Sequence, residues 1–357
     1  MDSVSAALVF HSSIYLCAMA HHGVSGLVGK IVTELEVNCN ADEFYKILKR
    51  DEDVPRAVSD LFPPVKIAKG DGLVSGCIKE WDCVLDGKAM SGKEETTHND
   101  ETRTLRHREL EGDLMKDYKK FDSIIEVNPK PNGHGSIVTW SIEYEKMNED
   151  SPAPFAYLAS FHQNVVEVDS HLCLSETRYT NMDSVSAALV FHSSIYLCAM
   201  AHHGVSGLVG KIVTELEVNC NADEFYKILK RDEDVPRAVS DLFPPVKIAK
   251  GDGLVSGCIK EWDCVLDGKA MSGKEETTHN DETRTLRHRE LEGDLMKDYK
   301  KFDSIIEVNP KPNGHGSIVT WSIEYEKMNE DSPAPFAYLA SFHQNVVEVD
   351  SHLCLSE

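Results

Sequence analysis

The segment Thr104-Leu105-Arg106-His107-Arg108-Glu109-Leu110-Glu111 sets titratable residues at every second position. Successive side chains of an extended strand point to opposite faces. With Leu105 on the buried side, His107 and Glu109 share that side, and Arg106 and Arg108 take the other. An imidazole and a carboxylate two residues apart on one face lie about 7 Å from each other. That spacing lets them act as base and acid on one small ligand. Imidazole titrates near neutrality, which suits proton transfer at physiological pH. The same pattern describes a buried histidine satisfied by Glu109 or by water, and both readings stand at this level.

The elements that position this pair occur twice. Residues 1–176 recur without a change at 182–357, around Thr177-Arg178-Tyr179-Thr180-Asn181. His288 and Glu290 therefore repeat His107 and Glu109. A unit of 176 residues can bury its own core, so the repeat implies two domains in tandem. Residues 1–18 read as a leader extension and 19–176 as the first domain. Residues 177–199 read as a linker that includes the repeated leader, and 200–357 as the second domain. The leader is apolar but split by His11-Ser12-Ser13 and has Asp2 as its sole charge, which is unlike a secretory signal.

The 357-residue chain is 41% apolar and 27% charged, an ordinary globular balance. No apolar run approaches the roughly 18 residues of a membrane-spanning helix. Sixty acidic against 37 basic residues give a net charge of −23. Such a field repels phosphate backbones and anionic lipid, so neither nucleic acid nor membrane is expected as a partner. An uncharged or cationic small ligand fits better. Each copy has five cysteines (Cys17, Cys39, Cys77, Cys83, Cys173) and no CxxC pair, which points to reduced thiols. His11, His21, His22, His98, His134 and His171 show no metal-ligand spacing, so no metal is expected.

Within one copy, Gly26–Val37 alternates as a strand and Asn40 caps a short helix over Ala41–Lys49. A second short helix, Val54–Leu61, stops at Pro63-Pro64. Period-two segments follow at Val65–Ala68, Gly76–Leu85, Lys88–Asn99, Thr102–Glu111, Tyr118–Asn128 and Gly135–Lys146. Turn residues separate them, which implies an antiparallel meander. A long helix runs from Phe155 to about Ser170, with Phe155, Leu158, Phe161, Val165 and Val166 on its apolar face and His162 on a solvated one. The expected class is α+β, a curved antiparallel sheet of seven strands around one long helix with two short helices, present twice. The glycine-rich loop Gly70–Gly76 lacks the Lys-Ser/Thr and the following helix of a phosphate cradle, and reads as a structural turn.

This order, with that loop, resembles the Bet v 1 family, the pathogenesis-related class 10 proteins. The strings Met19–Lys30, Gly76–Trp81, Glu94–His98, Lys116–Phe121 and Val127–Pro131 are similar to opium-poppy major latex proteins. The resemblance implies a helix-grip fold with an apolar ligand cavity and no cofactor. Matching the family's turn to Glu111-Gly112 turns Met90, Gly92, Glu94 and Thr96 inward, together with Val138, Trp140, Ile142 and Tyr144. Relatives that condense an amine with an aldehyde use a cavity Lys, Tyr and Glu, where this sequence has about Leu105, Met90 and Gly92. That chemistry is therefore not expected.

What the resemblance implies instead is an isomerase of morphinan alkaloids that moves a β,γ double bond into conjugation with a ketone (neopinone to codeinone). Acetate elimination from an alkaloid ester, or alkaloid binding without turnover, are the alternatives. The implied catalytic residues are His107 as base or shuttle, Glu109 as its partner and Tyr144 as hydrogen-bond donor, repeated as His288, Glu290 and Tyr325. The implied ligand contacts are Met90, Glu94, Leu105, Asp122, Trp140 and Phe161, repeated as Met271, Glu275, Leu286, Asp303, Trp321 and Phe342. An alkaloid is the implied partner, self-association is compatible, and the implied location is the latex cytoplasm.

Overall fold

The computed structural model describes residues 26–50, 65–85, 87–131, 133–182, 207–231, 246–253, 255–266, 268–312 and 314–356. The leader, the second short helix and residues 183–199 of the expected linker lie outside the described residues. The first copy runs β1 (Val28–Val37), α1 (Ala41–Lys49), β2 (Val65–Lys69), β3 (Cys77–Leu85), β4 (Lys88–Asn99), β5 (Thr104–Gly112), β6 (Tyr118–Pro129), β7 (Ser136–Lys146) and α2 (Phe155–Met182). The second repeats it as β8 (Val209–Val218), α3 (Ala222–Lys230), β9 (Val246–Lys250), β10 (Cys258–Leu266), β11 (Lys269–Asn280), β12 (Thr285–Gly293), β13 (Tyr299–Pro310), β14 (Ser317–Lys327) and α4 (Phe336–Ser356). The helix expected to end near Ser170 continues to Met182, through Thr177–Asn181.

Local chemistry accounts for these elements. The Asn40 side chain accepts from the Asp42 N–H at 2.9 Å, and Asp42 and Glu43 in the first turn, with Lys46 and Lys49 in the last, complement the helix dipole. In β1, Ile31, Thr33, Leu35 and Val37 are buried while the residues between them are not. The Asp169 carboxylate of α2 accepts from the backbone N–H groups of Asn38 and Cys39 at 3.1 and 2.8 Å. This ties the long helix to the β1–α1 corner.

Within each copy the strands form an antiparallel meander closed by β1 against β7, with order β2-β3-β4-β5-β6-β7-β1. The two sheets are continuous. β1 pairs with β8 antiparallel from Gly29 to Leu35, producing one sheet of 14 strands. Each copy has its own core cluster around α1 and α3. A third cluster joins Ile31, Tyr144 and Leu158 of the first copy to Ile212, Tyr325 and Leu339 of the second.

The helices α2 and α4 meet above this seam. Phe155 packs edge-on against His343, and His162 against Phe336, each with ring centroids 5.1 Å apart. His162, expected on a solvated face, is only 6% exposed, enclosed by its own sheet at Thr33 and by Phe336 of the other copy. Its Nδ1 lies 2.8 Å from the Thr33 hydroxyl, and Thr214 serves His343 alike.

Burial pushes both imidazoles down to about 3, assisted by Lys327 for His162 and Lys146 for His343. An unfolded imidazole titrates near 6.5. As pH falls below that value the unfolded chain gains protons that the folded chain refuses, so stability declines down to about pH 3. Between pH 6.5 and 5 the loss is about 2 kcal/mol per histidine. Denaturant unfolding of the His162→Gln/His343→Gln chain is expected to show a distinctly shallower loss over this interval. An unchanged slope would contradict the burial of these rings.

Candidate active site

The inner face of each sheet is chemically divided. β1, β6 and β7 present Ile31, Leu35, Phe121, Ile125, Val138 and Ile142, all buried and apolar. β3, β4 and β5 present Lys79, Glu94, Thr96, His107 and Glu109. The outer residues confirm this orientation: Arg106 Nη2 donates to Asp122 Oδ2 at 2.6 Å, and Arg108 Nη1 to Glu95 Oε2 at 3.5 Å.

Register brings the polar residues together. Thr96 is opposite His107 and Glu94 opposite Glu109, with a ladder shift between Lys93 and Glu94. On the other side of β4, Lys79 is opposite Glu94 and Trp81 opposite Gly92. His107 Nδ1 lies 2.8 Å from Glu94 Oε1, and the Thr96 hydroxyl is 3.2 Å from both atoms. The partner of His107 is thus Glu94 rather than the expected Glu109. Glu94 is the diagonal cross-strand neighbour of His107, about as near as Glu109 along the strand, and Glu109 is drawn instead to the Trp81 indole.

Glu109 accepts from the Trp81 indole N–H at 3.2 Å, while its Oε1 has no hydrogen-bond partner among the described residues. The two carboxyl groups are driven apart electrostatically. Burial raises Glu109, and the charge of Glu94 raises it further, to about 8. Burial also pushes Glu94 up, but the charge and hydrogen bond of His107, with Lys79 and Thr96, outweigh this and hold it below its ordinary value. At neutral pH Glu94 is ionised and Glu109 carries a proton. Two neighbouring carboxyl groups in opposite protonation states form an acid–base pair.

Gly92 is required here. A Cβ at this position would collide with Glu109 Oε1 and the Trp81 ring. The cavity carboxylate of the condensing relatives has no room at this position.

The remaining expected site residues divide. Tyr144 is buried on the inner face, its register partner is Phe121, and its hydroxyl has no hydrogen-bond partner among the described residues. Burial raises its phenol. Strand β6 separates it from the Glu94–His107 pair. Met90 accepts from the Tyr157 hydroxyl at 3.3 Å, and Leu105 packs with Ile125, Val138 and Trp140. Trp140 donates to Ser123 Oγ at 2.6 Å and stacks on Phe161 at 4.2 Å, so these two aromatics complete each other.

Asp122, expected to face the cavity between sheet and helix, is turned to the outer face of the sheet. It is in register with Arg108 and Glu143 on the outer face and pairs with Arg106. Asp303 is placed in the same way with Arg287.

The second copy reproduces the site. His288 Nδ1 is 2.8 Å from Glu275, Glu290 accepts from Trp262 at 3.3 Å and is raised to about 8, and the Tyr325 hydroxyl has no partner among the described residues. Tyr338 reaches Met271, Trp321 stacks on Phe342, and Leu286 is buried. The β12–β13 ladder ends at Arg289–Asp303. At that point an open pocket of about 340 Å³ is lined by the charged residues Arg287, Arg289, Lys300, Lys301 and Asp303 together with Glu290 and Phe302.

One participant was not foreseen: Lys79, 1% exposed, follows from the period of β3, while Thr96, expected to face inward, links Glu94 and His107 through the β4–β5 register. Alternation of Cys77, Lys79 and Trp81 was the available signal for the lysine.

The profile of the Pathogenesis-related protein Bet v 1 family matches residues 26–175 and again 207–356. Major latex protein 146 of Papaver somniferum is 58% identical over 159 residues, covering 44% of this chain and 100% of that relative. MLP-like protein 28 of Arabidopsis thaliana is 33% identical over 337 residues, covering 93% of this chain and 94% of that protein. Among solved structures, ginseng major latex-like protein 151 from Panax ginseng is 26% identical and covers 41% of this chain and 98% of its own, with a TM-score of 0.37. No described helix is long and apolar enough to cross a membrane. With both repeats matched by one profile, the chain belongs to the Bet v 1 family, as a tandem duplication close to the Papaver major latex proteins.

Proposed function

We propose that each copy holds a ketone-bearing alkaloid between sheet and helix and moves its β,γ double bond into conjugation, by proton transfer without a cofactor. The observation that carries this reading is the meeting of Glu94, His107 and Glu109 on adjacent inner strands, where burial and the charge of Glu94 push Glu109 up to about 8 and His107 holds Glu94 below its ordinary value. A β,γ-enone has an acidic α-proton between its carbonyl and its alkene. Removing it gives a dienolate, and returning a proton at the γ-carbon gives the conjugated enone. The ionised Glu94, hydrogen-bonded to His107, is the base and Glu109 the acid. The proton taken by Glu94 passes through solvent or the cluster back to Glu109, so the cycle balances. The Tyr144 hydroxyl, expected as donor to the dienolate oxygen, lies against Gly29 of β1 with β6 between it and the acid–base pair, and is not assigned that role. The apolar strands β1, β6 and β7 suit the hydrocarbon frame of such a ligand, and the same reading places the chain in the cytosol of latex-bearing cells.

A second reading, alkaloid binding without turnover, is favoured by one fact. His107 Nδ1 already has both Glu94 and Thr96 within hydrogen-bond range. Mass-spectrometric assay of the full chain with neopinone separates the two. Codeinone formation above the uncatalysed rate supports isomerisation, ligand retention without conversion supports storage, and conversion of the acetate ester alone points to elimination.

Two outcomes follow from the paired carboxyl groups. Isomerisation is expected to hold across neutral pH and to fall above about pH 8, as Glu109 loses its proton. The Glu109→Gln/Glu290→Gln chain is expected to lose activity by about 10²–10⁴-fold. A pH-independent rate through pH 9 would remove Glu109 from the mechanism.

The same substitution is expected to stabilise the fold. The folded-state pKa is raised, so the contribution of the protonated carboxyl is complete below the unfolded value near 4.3 and lost as pH rises to about 8. At pH 7 that loss is on the order of 3 kcal/mol per site. Urea denaturation at pH 7 should therefore find the inactive Gln variant more stable than the parent chain, and a less stable variant would contradict this electrostatic picture.

A further inference from the structure

We infer that the β1 edge is a self-recognition surface whose partner is a second copy of this domain, so that the chain is a fused dimer whose halves stay together without the segment that connects them. The register carries this. Val32 faces Val213, its own counterpart in the repeat, so an approximate two-fold axis passes between them. About that axis Lys30 faces Glu215 and Glu34 faces Lys211, which makes the charge pattern of one strand complementary to itself. Gly29 sits opposite Leu216, and a Cβ there would strike the Tyr144 ring of its own copy and lie 2.9 Å from the Glu215 carbonyl oxygen, so the glycine makes room for both the tyrosine and the facing backbone.

The seam extends beyond the ladder. Gly26 N–H donates to the Glu217 carbonyl at 3.2 Å, and Gly207 N–H to that of Glu36 at 3.1 Å. Above the sheet, the reciprocal packing of each long helix's histidine on the other's phenylalanine obeys the same two-fold relation. Because the repeats are identical, every one of these features is encoded within a single copy.

The opposite edge contrasts with this. β2 has five residues, exposed Lys66 and Lys69, and a register shift against β3, which are devices that discourage edge pairing. β1 is ten residues long, its register against β8 is unbroken, and its one lysine, Lys30, faces Glu215 of the other copy.

The test introduces a protease site between residues 183 and 206 of the full chain, cuts it, and follows the halves by size-exclusion chromatography with light scattering. The halves are expected to co-elute at the mass of the uncut chain. Because the edges are identical, tagged first-copy halves should also capture untagged first-copy halves on mixing. Separation of the cut halves, each at half the mass, would overturn the inference.

Val32→Asp with Val213→Asp places two carboxylates opposite each other on the axis and is expected to release the halves after cutting. Val32→Asp with Val213→Lys should keep them together, which controls for a folding defect of the first substitution. Retention of the Asp/Asp pair would show that some other surface holds the halves and would equally overturn the assignment.

Discussion

Glu94 and Glu109 face each other across β4 and β5 inside the grip, and two carboxylates so placed in a poorly solvated space do not both ionise. The chain resolves the conflict unevenly. Glu94 receives His107, Thr96 and the nearby charge of Lys79, whereas Glu109 receives the indole N–H of Trp81 and a backbone N–H of Lys93, neither of them charged. The charge therefore settles on Glu94 and the proton on Glu109. Gly92 belongs to the same constraint, since any side chain there would displace both the acid and its indole partner.

The scaffold makes this arrangement possible by keeping the titratable residues on one half of the inner face and the apolar residues on the other. The apolar half is where α2 and the seam between copies lie. Ile31, Tyr144 and Leu158 belong to a cluster that continues into the second copy, so the β1 side is braced by its counterpart. The polar half lies on β3, β4 and β5, farther from the seam. Rigidity and chemistry are thereby assigned to different strands of one sheet, and β6 forms the boundary with Phe121 and Ser123 turned inward.

Much of this was legible in the sequence for identifiable reasons. Period-two alternation located all seven strands of each copy to within a few residues, because each strand buries one face. Asn40 and the charge pattern after it marked α1 at its observed boundaries. The inward set Leu105, His107 and Glu109 followed from the same alternation. Pairing was harder to read. His107 found Glu94 because β4 and β5 meet in a register set partly by a bulge, and a bulge leaves little trace in composition. Asp122 was misplaced by matching to relatives, although its strand neighbours Phe121 and Ser123 face inward and its own parity sends it out. His162 read as solvated because its position falls off the apolar stripe of its helix. Thr33 of its own sheet and Phe336 of the other repeat enclose it, and the second contact is one that no single-domain reasoning supplies.

The central claim is that Glu109 is protonated at neutral pH while Glu94 is not. Carbon-13 NMR of the intact chain with labelled glutamate side chains, assigned through Glu109→Gln/Glu290→Gln, follows the carboxyl carbon directly as pH is raised. A resonance that titrates near 8 and disappears in the variant is the expected result. Titration of the same carbon in the ordinary glutamate range, near 4 to 5, would contradict it.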